Sequence, residues 1–357
     1  MKLVRPVTIL DAVLITSDVP EVNALTIYAG GTTYALNDTV YTLTGRSQID
    51  QYVSKVGSNT GNTPPVVGAP ETAFWRLTGS TYLAWNAATA YQVDDIVIVV
   101  SANSHLSYRR RVAGTTATAP SADATNWLAL GATNRWKMFD GSITSQTSNP
   151  LAITETFIPA ARVDTVACLN VVAGSITVTQ TDPIDGLVFN VTTSMIDSVG
   201  IDNPWSYCFE PITYLSDLIL GGLLPYANAT IAVTINQPSG TALCGGLILG
   251  LSKDIGSTEY GASVGIQDYS VKAVDVFGNT SITQRAFSKR GDFTVWVPNT
   301  LTDILQTTLA GFRATPILYI GSDNFASTAI YGFFKDFTLA IAYPNVSIFT
   351  VSIEGLT

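Results

Sequence analysis

The chain has 357 residues, which is long enough for two or three domains with cores of ordinary size. Hydrophobic residues make up 46% of it and charged residues only 13%, about half the usual charged share. The net charge of −9 argues against nucleic acid as a partner, because phosphate binding requires clustered Lys and Arg. The single basic run, 109–111, is typical of a solvated strand in which one guanidinium pairs locally. This composition favours a β-sheet protein that buries surface against neighbouring subunits.

The N-terminal residues do not have the pattern of a secretory signal. Lys2 and Arg5 are followed by Pro6 rather than by an unbroken apolar run. The longest apolar segments, 218–224 and 339–343, are far shorter than the roughly 20 residues that span a bilayer. We therefore expect a protein made in the cytoplasm, without membrane insertion.

Residues 1–23 alternate modestly between apolar and polar side chains and contain Pro6 and Pro20. This pattern predicts an N-terminal arm with one strand. Its β-branched residues suit pairing with the sheet edge of another chain.

The next hundred residues contain a tandem repeat, which divides them into units at 24–80 and 81–133. Eight anchor positions match in order: four at an offset of 57, three at 56 after a one-residue gap, and the closing Trp pair at 52. The matched pairs are Tyr28 with Trp85, Tyr34 with Tyr91, Asp38 with Asp95, Val40 with Val97, Tyr52 with Tyr108, Val56 with Val112, Pro64 with Pro120, and Trp75 with Trp127. We predict that the two units share one small β fold.

The repeated pattern resembles the small chitin- and cellulose-binding modules of carbohydrate-binding families five and twelve. The motifs that carry the resemblance are T-T-Y-A-L-N-D-T-V at 32–40 and T-A-Y-Q-V-D-D-I-V at 89–97, each followed by a proline loop and a closing Trp. Where the family usually has Gly before the turn Asp, this chain has Asn37 and Asp94. A second exposed aromatic beside the closing Trp is replaced by Arg76 or Leu128.

Aromatic faces stack on the apolar face of a pyranose ring, so the resemblance implies a set of candidate sugar-binding residues. In a module this small the same side chains are needed for a core, and for the Trp pair we favour the core role. The candidates are Tyr34, Tyr52, Trp75, Tyr82, Tyr91, Tyr108 and Trp127, of which Tyr52, Tyr82 and Tyr108 are the better ones for exposure.

Residues 134–357 change to short β-forming runs separated by turn signals such as D-P-I-D-G and N-Q-P-S-G. This succession of short strands and turns predicts an antiparallel β-sandwich or jelly-roll-like domain. One short helix is expected near 301–311, where apolar residues recur at helical spacing and Gly311 ends the pattern. The predicted fold class is therefore mainly β, with two small modules followed by a sandwich.

No catalytic or metal-binding motif stands out. The three cysteines, Cys168, Cys208 and Cys244, have no metal-ligand spacing, and we interpret them as buried small apolar residues. His105 is the only histidine. We expect no enzyme activity, no cofactor and no metal.

Acidic pairs and a glycine-rich run also have ordinary structural explanations. Asp182 and Asp185 lie in a turn motif, whereas Asp268 and Asp275 are spaced to point to opposite strand faces. The run G-G-L-I-L-G-L-S-K at 245–253 has the wrong spacing for a phosphate loop and predicts a core strand with close backbone packing.

A longer resemblance is to the structural proteins of bacteriophage tails. It rests on the opening P-V-T-I-L-D-A-V-L-I-T-S-D-V-P-E, the paired modules, T-N-R-W-K-M-F-D-G-S-I-T-S-Q-T at 133–147 and G-I-Q-D-Y-S-V-K-A-V-D-V-F-G-N at 265–279. The resemblance implies a multi-copy subunit of a baseplate, tail tip or fibre attachment, made in the host cytoplasm and bound to other tail proteins. Two alternatives are a receptor-binding protein that adsorbs to host surface glycan and a tail-associated polysaccharide depolymerase.

Overall fold

The computed structural model describes residues 1–21, 26–65, 71–101, 104–197, 202–211, 213–274 and 277–357. Strands account for 53% of the chain and helices for 8%. The pairings between the described strands are antiparallel, and the strand content confirms the predicted mainly-β class.

The first ten strands belong to the N-terminal segment and the two modules. They are β1 Lys2–Pro6, β2 Leu14–Ser17, β3 Thr33–Tyr34, β4 Thr39–Leu43, β5 Gln48–Ser54, β6 Asn59–Thr60, β7 Trp75–Tyr82, β8 Ile96–Ser101, β9 Ser104–Arg110 and β10 Trp127–Ala132.

The remaining strands follow in two groups. The first group is β11 Thr147–Phe157, β12 Thr165–Val172, β13 Ser175–Asp182, β14 Gly186–Ser194, β15 Ile196–Asp197, β16 Thr213–Tyr214, β17 Leu218–Gly221 and β18 Thr230–Asp254. The second group is β19 Ser257–Thr258, β20 Ser263–Asp268, β21 Val271–Val274, β22 Thr280–Thr283, β23 Phe287–Pro298, β24 Ile317–Ile320, β25 Ala329–Ala340 and β26 Val346–Gly355. The helices are α1 Pro204–Phe209 and α2 Thr302–Gly311, and single 3-10 turns occur at Pro120–Ala122, Lys137–Phe139, Asn299–Leu301 and Ala326–Thr328.

Fourteen strands form one large antiparallel sheet, whose main path runs β14-β13-β18-β1-β24-β25-β26-β23-β19. The 25-residue strand β18 organises its first half, because β11, β12, β13 and β1 all pair with it. Apolar side chains from these strands, among them Ile153, Val166, Val178 and Val233, form one core.

The second half of the sheet has its own core. Strands β23, β24, β25 and β26 pack their inward side chains with one face of α2, through Leu305 and Leu309. The helix forms where the sequence predicts it, but Ile304 is half-exposed rather than buried. A 3-10 turn at Asn299–Leu301 precedes α2 and sets its first turn.

Helix α1, which we did not predict from the sequence, begins at a capping box. Asn203 accepts a hydrogen bond from the backbone N–H of Ser206, and the Ser206 hydroxyl completes a capping box. Pro204 follows the cap at the first helical position, where a missing N–H costs nothing.

Strand β1 joins the two halves of the sheet. It pairs with β18 on one side, Val4 opposite Ser252, and with β24 on the other, Val4 opposite Leu318. The Val4 side chain is fully buried in a third apolar cluster that draws Ile248 from the first half and Ile320 from the second. Residues 1–21 are thus an integral part of the fold, and our expectation of an arm reserved for another chain is wrong. Both strands that pair with β1 belong to the same chain.

The glycine-rich run 245–253 lies inside β18 and is a core strand, as predicted. A Cβ atom on Gly245 would lie 2.1 Å from the Ile143 carbonyl oxygen, and one on Gly250 would lie 2.4 Å from that of Arg5. The glycines therefore allow two backbones to approach each other, with no cradle for phosphate.

Candidate functional site

The first module closes around Trp75, which is fully buried. Its ring meets that of Tyr34 edge-on, with 5.4 Å between centroids, and its Nε1 donates to the Asn62 carbonyl at 2.6 Å. Tyr52 is buried in the same cluster, and its hydroxyl donates to the Pro65 carbonyl at 2.9 Å. These rings are the core of a three-stranded sheet, β4-β5-β7.

The second module repeats this arrangement around Trp127. The Tyr91 ring meets Trp127 edge-on at 5.2 Å, and Tyr108 is buried beside them. The Arg110 guanidinium lies over the Trp127 ring, 4.8 Å from its centroid, and donates to the Gly114 carbonyl at 3.2 Å. A cation over an indole face adds electrostatic attraction to the packing.

Arg110 departs from the expectation for the basic run. Arg109 and Arg111 are solvent-exposed, as predicted for a surface strand, but Arg110 is only 2% exposed. Successive side chains of a strand point to opposite faces, so the middle arginine of three faces the module core.

The same turn precedes the first strand of the sheet in each module. Its geometry explains why Asn37 and Asp94 can stand where the carbohydrate-binding families that the modules resemble usually have Gly. Asn37 and Asp94 have positive φ angles, 70° and 71°, a region that glycine enters most easily and Asn or Asp tolerate. The next residue, Asp38 or Asp95, accepts a backbone N–H from three residues earlier at 2.7 Å in both modules. A carboxylate is therefore required there to close the turn.

Further contacts recur at the predicted offset of 57. A parallel bridge joins Ile27 to Tyr41 and another joins Ala84 to Ile98. The hydroxyl of Tyr34 accepts the Ala29 N–H at 2.8 Å, and that of Tyr91 accepts the Asn86 N–H at the same distance. The two units therefore share strand order, core and turn geometry.

This geometry corrects the set of candidate sugar-binding aromatics. Six of the seven are buried in the module cores and present no face to a ligand: Tyr34, Tyr52, Trp75, Tyr91, Tyr108 and Trp127. Only Tyr82 is partly exposed. A module of this size has few other large apolar side chains, so burial of these rings is what holds it together.

Tyr82 lies at a cleft of about 490 Å³ between the two modules and the large sheet. Ile98 and Leu130 supply apolar lining, and Asn134 and Lys137 supply polar groups. Its described lining includes hydroxyl, amide and ammonium groups but no carboxylate, imidazole or thiol. The cleft can hydrogen-bond a neutral polar molecule, and its described lining holds no pair of carboxyl groups.

His105 is buried where the second module meets the N-terminal segment. Its Nε2 lies 2.8 Å from the Asp11 carboxylate, and its Nδ1 lies 3.6 Å from that of Glu21. Its ring stacks on Trp136 with 4.6 Å between centroids. Burial lowers the pKa of His105, but the interaction of the ring with the Glu21 carboxylate and the charges of Asp11 and Glu21 outweigh burial and raise this pKa.

Arg135 and Thr133 extend this polar junction. Arg135 donates twice to the Val19 carbonyl, at 2.8 and 2.6 Å, and the Thr133 hydroxyl donates to Glu21 at 2.6 Å. These bonds attach residues 11–21 to the second module. No sequence signal indicated the junction, because its members are scattered along the chain.

Glu155, on β11, is the most perturbed carboxyl near this junction. It is 1% exposed, and the Ser17 hydroxyl donates to its Oε1 at 2.7 Å. Its Oε2 has no hydrogen-bond partner in the part of the chain that the structure describes. Burial raises the pKa of Glu155 to about 8, so the group is protonated at neutral pH.

We expect Glu155→Gln to remove part of the pH dependence of stability. Unfolded Glu155 loses its proton near pH 4.5 and folded Glu155 near 8, so the free energy of unfolding falls as the pH rises between these values. Gln mimics the protonated form, and above pH 8 the variant should be more stable than the native chain, by up to about 5 kcal/mol from the separation of the two pKa values. Urea unfolding across this range measures the difference. Glu210→Gln, at an exposed position, is the control, and equal slopes for all three chains would contradict the prediction.

The cysteines fall into two classes. Cys168 and Cys244 are buried, as expected, and burial raises the pKa of both thiols, that of Cys168 to about 12. Cys208, on α1, is exposed, so our interpretation of it as a buried apolar residue is wrong. A short helix with an outward face explains this exposure.

The described members of the acidic pairs have ordinary structural roles. Asp182 closes the β13–β14 turn by accepting the N–H groups of Ile184 and Asp185. Asp268 is exposed and accepts the Ser270 N–H, and Asp275 lies outside the described residues. Within the described ranges, no three His, Cys, Asp or Glu side chains converge to hold a metal ion.

Comparison with known proteins gives no relative: no family model, no curated protein and no solved structure matches the chain. In the described residues, neither helix has the length and apolar character needed to cross a bilayer.

Proposed function

We propose that the chain is a non-enzymatic structural subunit of a bacteriophage tail, in the baseplate, tail tip or fibre attachment. It is present in several copies and is bound to other tail proteins. The observation that carries the proposal is the amount of surface that the chain leaves exposed.

The accessible surface of the chain is 18589 Å². A compact monomer of 37.9 kDa is expected to expose about 13,900 Å². The excess of about 4,700 Å² is comparable with the areas buried in obligate protein interfaces. A chain of this kind suits an assembly in which neighbouring subunits cover part of its surface.

The exposed surface also includes several large apolar side chains. Large side chains at several separate places in the fold are more than half exposed: Ile184, Trp205, Phe209, Tyr260 and Ile341. Contiguous apolar surface usually marks interaction sites. Because these exposed apolar side chains are spread over the molecule, they favour contacts with several neighbouring subunits over a single ligand site.

The tail assignment rests on the sequence resemblance, and the module geometry is compatible with it. Each module is stabilised by its own aromatic core, and the second module is joined to residues 11–21 by a polar junction at His105. The two modules can therefore extend from a subunit that is held in place by its sheet.

A second candidate role, adsorption to host surface glycan, is favoured by one observation. Tyr82 is partly exposed at a cleft whose described lining carries hydroxyl and amide groups suited to a neutral sugar. The depolymerase alternative finds no support in this cleft, because a glycosidase requires two carboxyl groups across the scissile bond.

Labelling of purified phage particles tests the proposal. An antibody against the recombinant chain should bind at one place on the tail in electron micrographs, and the chain should be found in several copies per particle by quantitative mass spectrometry. Absence of the chain from gradient-purified particles would refute the structural role. Retention of the chain on host polysaccharide, lost on Tyr82→Ala, would favour the adsorption role instead.

A further inference from the structure

A long hairpin at one edge of the large sheet carries apolar side chains that nothing described in the chain covers. We call strands β20, β21 and β22 the edge hairpin. Every side chain of its strands β20, β21 and β22 is exposed, including Val264, Ile266, Val271 and Ile282.

Strand β20 is the outermost strand of the sheet at this place. It pairs with β23 in an unbroken register from Ser263 opposite Asp292 to Asp268 opposite Phe287. Its other side has no backbone partner among the described strands. One row of N–H and C=O groups therefore remains available to another strand.

Edge strands are usually protected by Lys, Pro or a β-bulge. The sequence of β20, S-V-G-I-Q-D, contains neither Lys nor Pro, and its pairing shows no register shift. Its only charge, Asp268, stands at its end. The strand is thus suited to accept a partner.

The distal part of the edge hairpin, β21 paired with β22, adds a second argument. Neither strand buries a side chain. A two-stranded hairpin without a packed face is marginally stable in water. A covering partner would stabilise it by burying its β-branched side chains.

We propose that β20 pairs antiparallel with β20 of a second copy of this chain, about a two-fold axis that passes near Gly265. Val264 would then lie opposite the partner's Ile266 on one face of the joined sheets. Asp268 would not lie opposite Asp268 of the second copy, so the pairing would bring no like charges together. The strand is therefore complementary to itself, as a symmetric interface requires.

The surface excess of the whole chain is large enough to include a contact of standard size. A standard interface buries about 800 Å² on each partner, well below the surface excess of about 4,700 Å². The remainder is left for other subunits. The inference rests on the proposed role as an assembly subunit and names one of its partners.

Light scattering on the purified full-length chain tests the contact. The native chain should have twice the mass of 37.9 kDa. The double variant Val264→Lys and Ile266→Lys should weaken dimerisation at least about tenfold, because like charges would face each other across the axis. The control, Ile184→Lys with Ile341→Lys, changes two exposed isoleucines elsewhere and should remain dimeric.

Cross-linking tests the register independently of these charges. Gly265→Cys, in a Cys208→Ser background, should form a cross-linked dimer with a short bismaleimide, because residue 265 lies opposite itself. A Cβ atom at Gly265 would be 3.5 Å from Arg290, an ordinary contact, so the variant should fold. Ile184→Cys in the same background should not cross-link.

A monomeric native chain, or a dimer unaffected by the edge charges and not cross-linked at 265, would overturn the inference. This result would leave the tail assignment intact if particles contain the chain. Conversely, a dimer through β20 together with particles that lack the chain would refute the tail assignment alone.

Discussion

Val4→Asp is expected to abolish the folded large sheet. The Val4 side chain is fully buried between the two halves of the sheet, in contact with apolar residues of both, and a carboxylate there would have no partner. Burial of an unpaired charge costs more than about 4 kcal/mol, a large part of the stability of an ordinary domain. We expect loss of soluble protein or a urea midpoint close to zero.

Arg5→Asp is the matched control for this variant. Arg5 follows Val4 on the same strand, but its side chain is exposed. The same new carboxylate should therefore change the free energy of unfolding by less than about 1 kcal/mol. If Val4→Asp unfolds at the urea concentration of the control, β1 is not the strand that joins the sheet.

Gly245→Ala is expected to destabilise the chain by about 3 kcal/mol. The added methyl group would lie 2.1 Å from the Ile143 carbonyl oxygen and 3.0 Å from the Asn170 Cβ. The nearest atom belongs to backbone, so relief requires the whole strand to move. Urea unfolding at neutral pH measures the loss.

Gly246→Ala is the control for the neighbouring position. Its added methyl group would meet the Leu169 Cβ at 3.6 Å, an ordinary van der Waals contact. Its effect should stay below about 1 kcal/mol, because Ala also reduces the entropy of the unfolded chain. Equal effects of the two substitutions would show that β18 and the 143 loop are not in backbone contact.

Local signals in the sequence were sufficient to predict the repeated modules. Aromatic anchors recur in the same order in both units because each ring fills the same place in a small core. The turn Asp is fixed by a hydrogen bond to a nearby N–H, and the residue before it by a positive φ. Helix α2 was predictable for the same reason, since its buried Leu305 and Leu309 lie one turn apart.

Contacts between distant residues could not be predicted in this way. The pattern of residues 1–6 indicates a strand, but nothing local shows that its neighbours are β18 and β24. Tyr52 was a candidate for exposure because alternation alone cannot tell a solvated face from one that a loop covers; the segment ending at Pro65 covers it. The junction of His105, Asp11 and Glu21 draws on three separate parts of the chain.

The position of β1 also has a consequence for the order of folding. Strand β1 is synthesised before β18 and β24, so it meets these partners only after the sequence between them has been made. Pairing between such distant segments is slow, because loop closure costs entropy before the contacts form. Each module, in contrast, contains its own sheet and core and can form while synthesis continues. We therefore expect a nascent chain with two folded modules and an unpaired first strand, an intermediate that depends on protection from aggregation until β24 emerges.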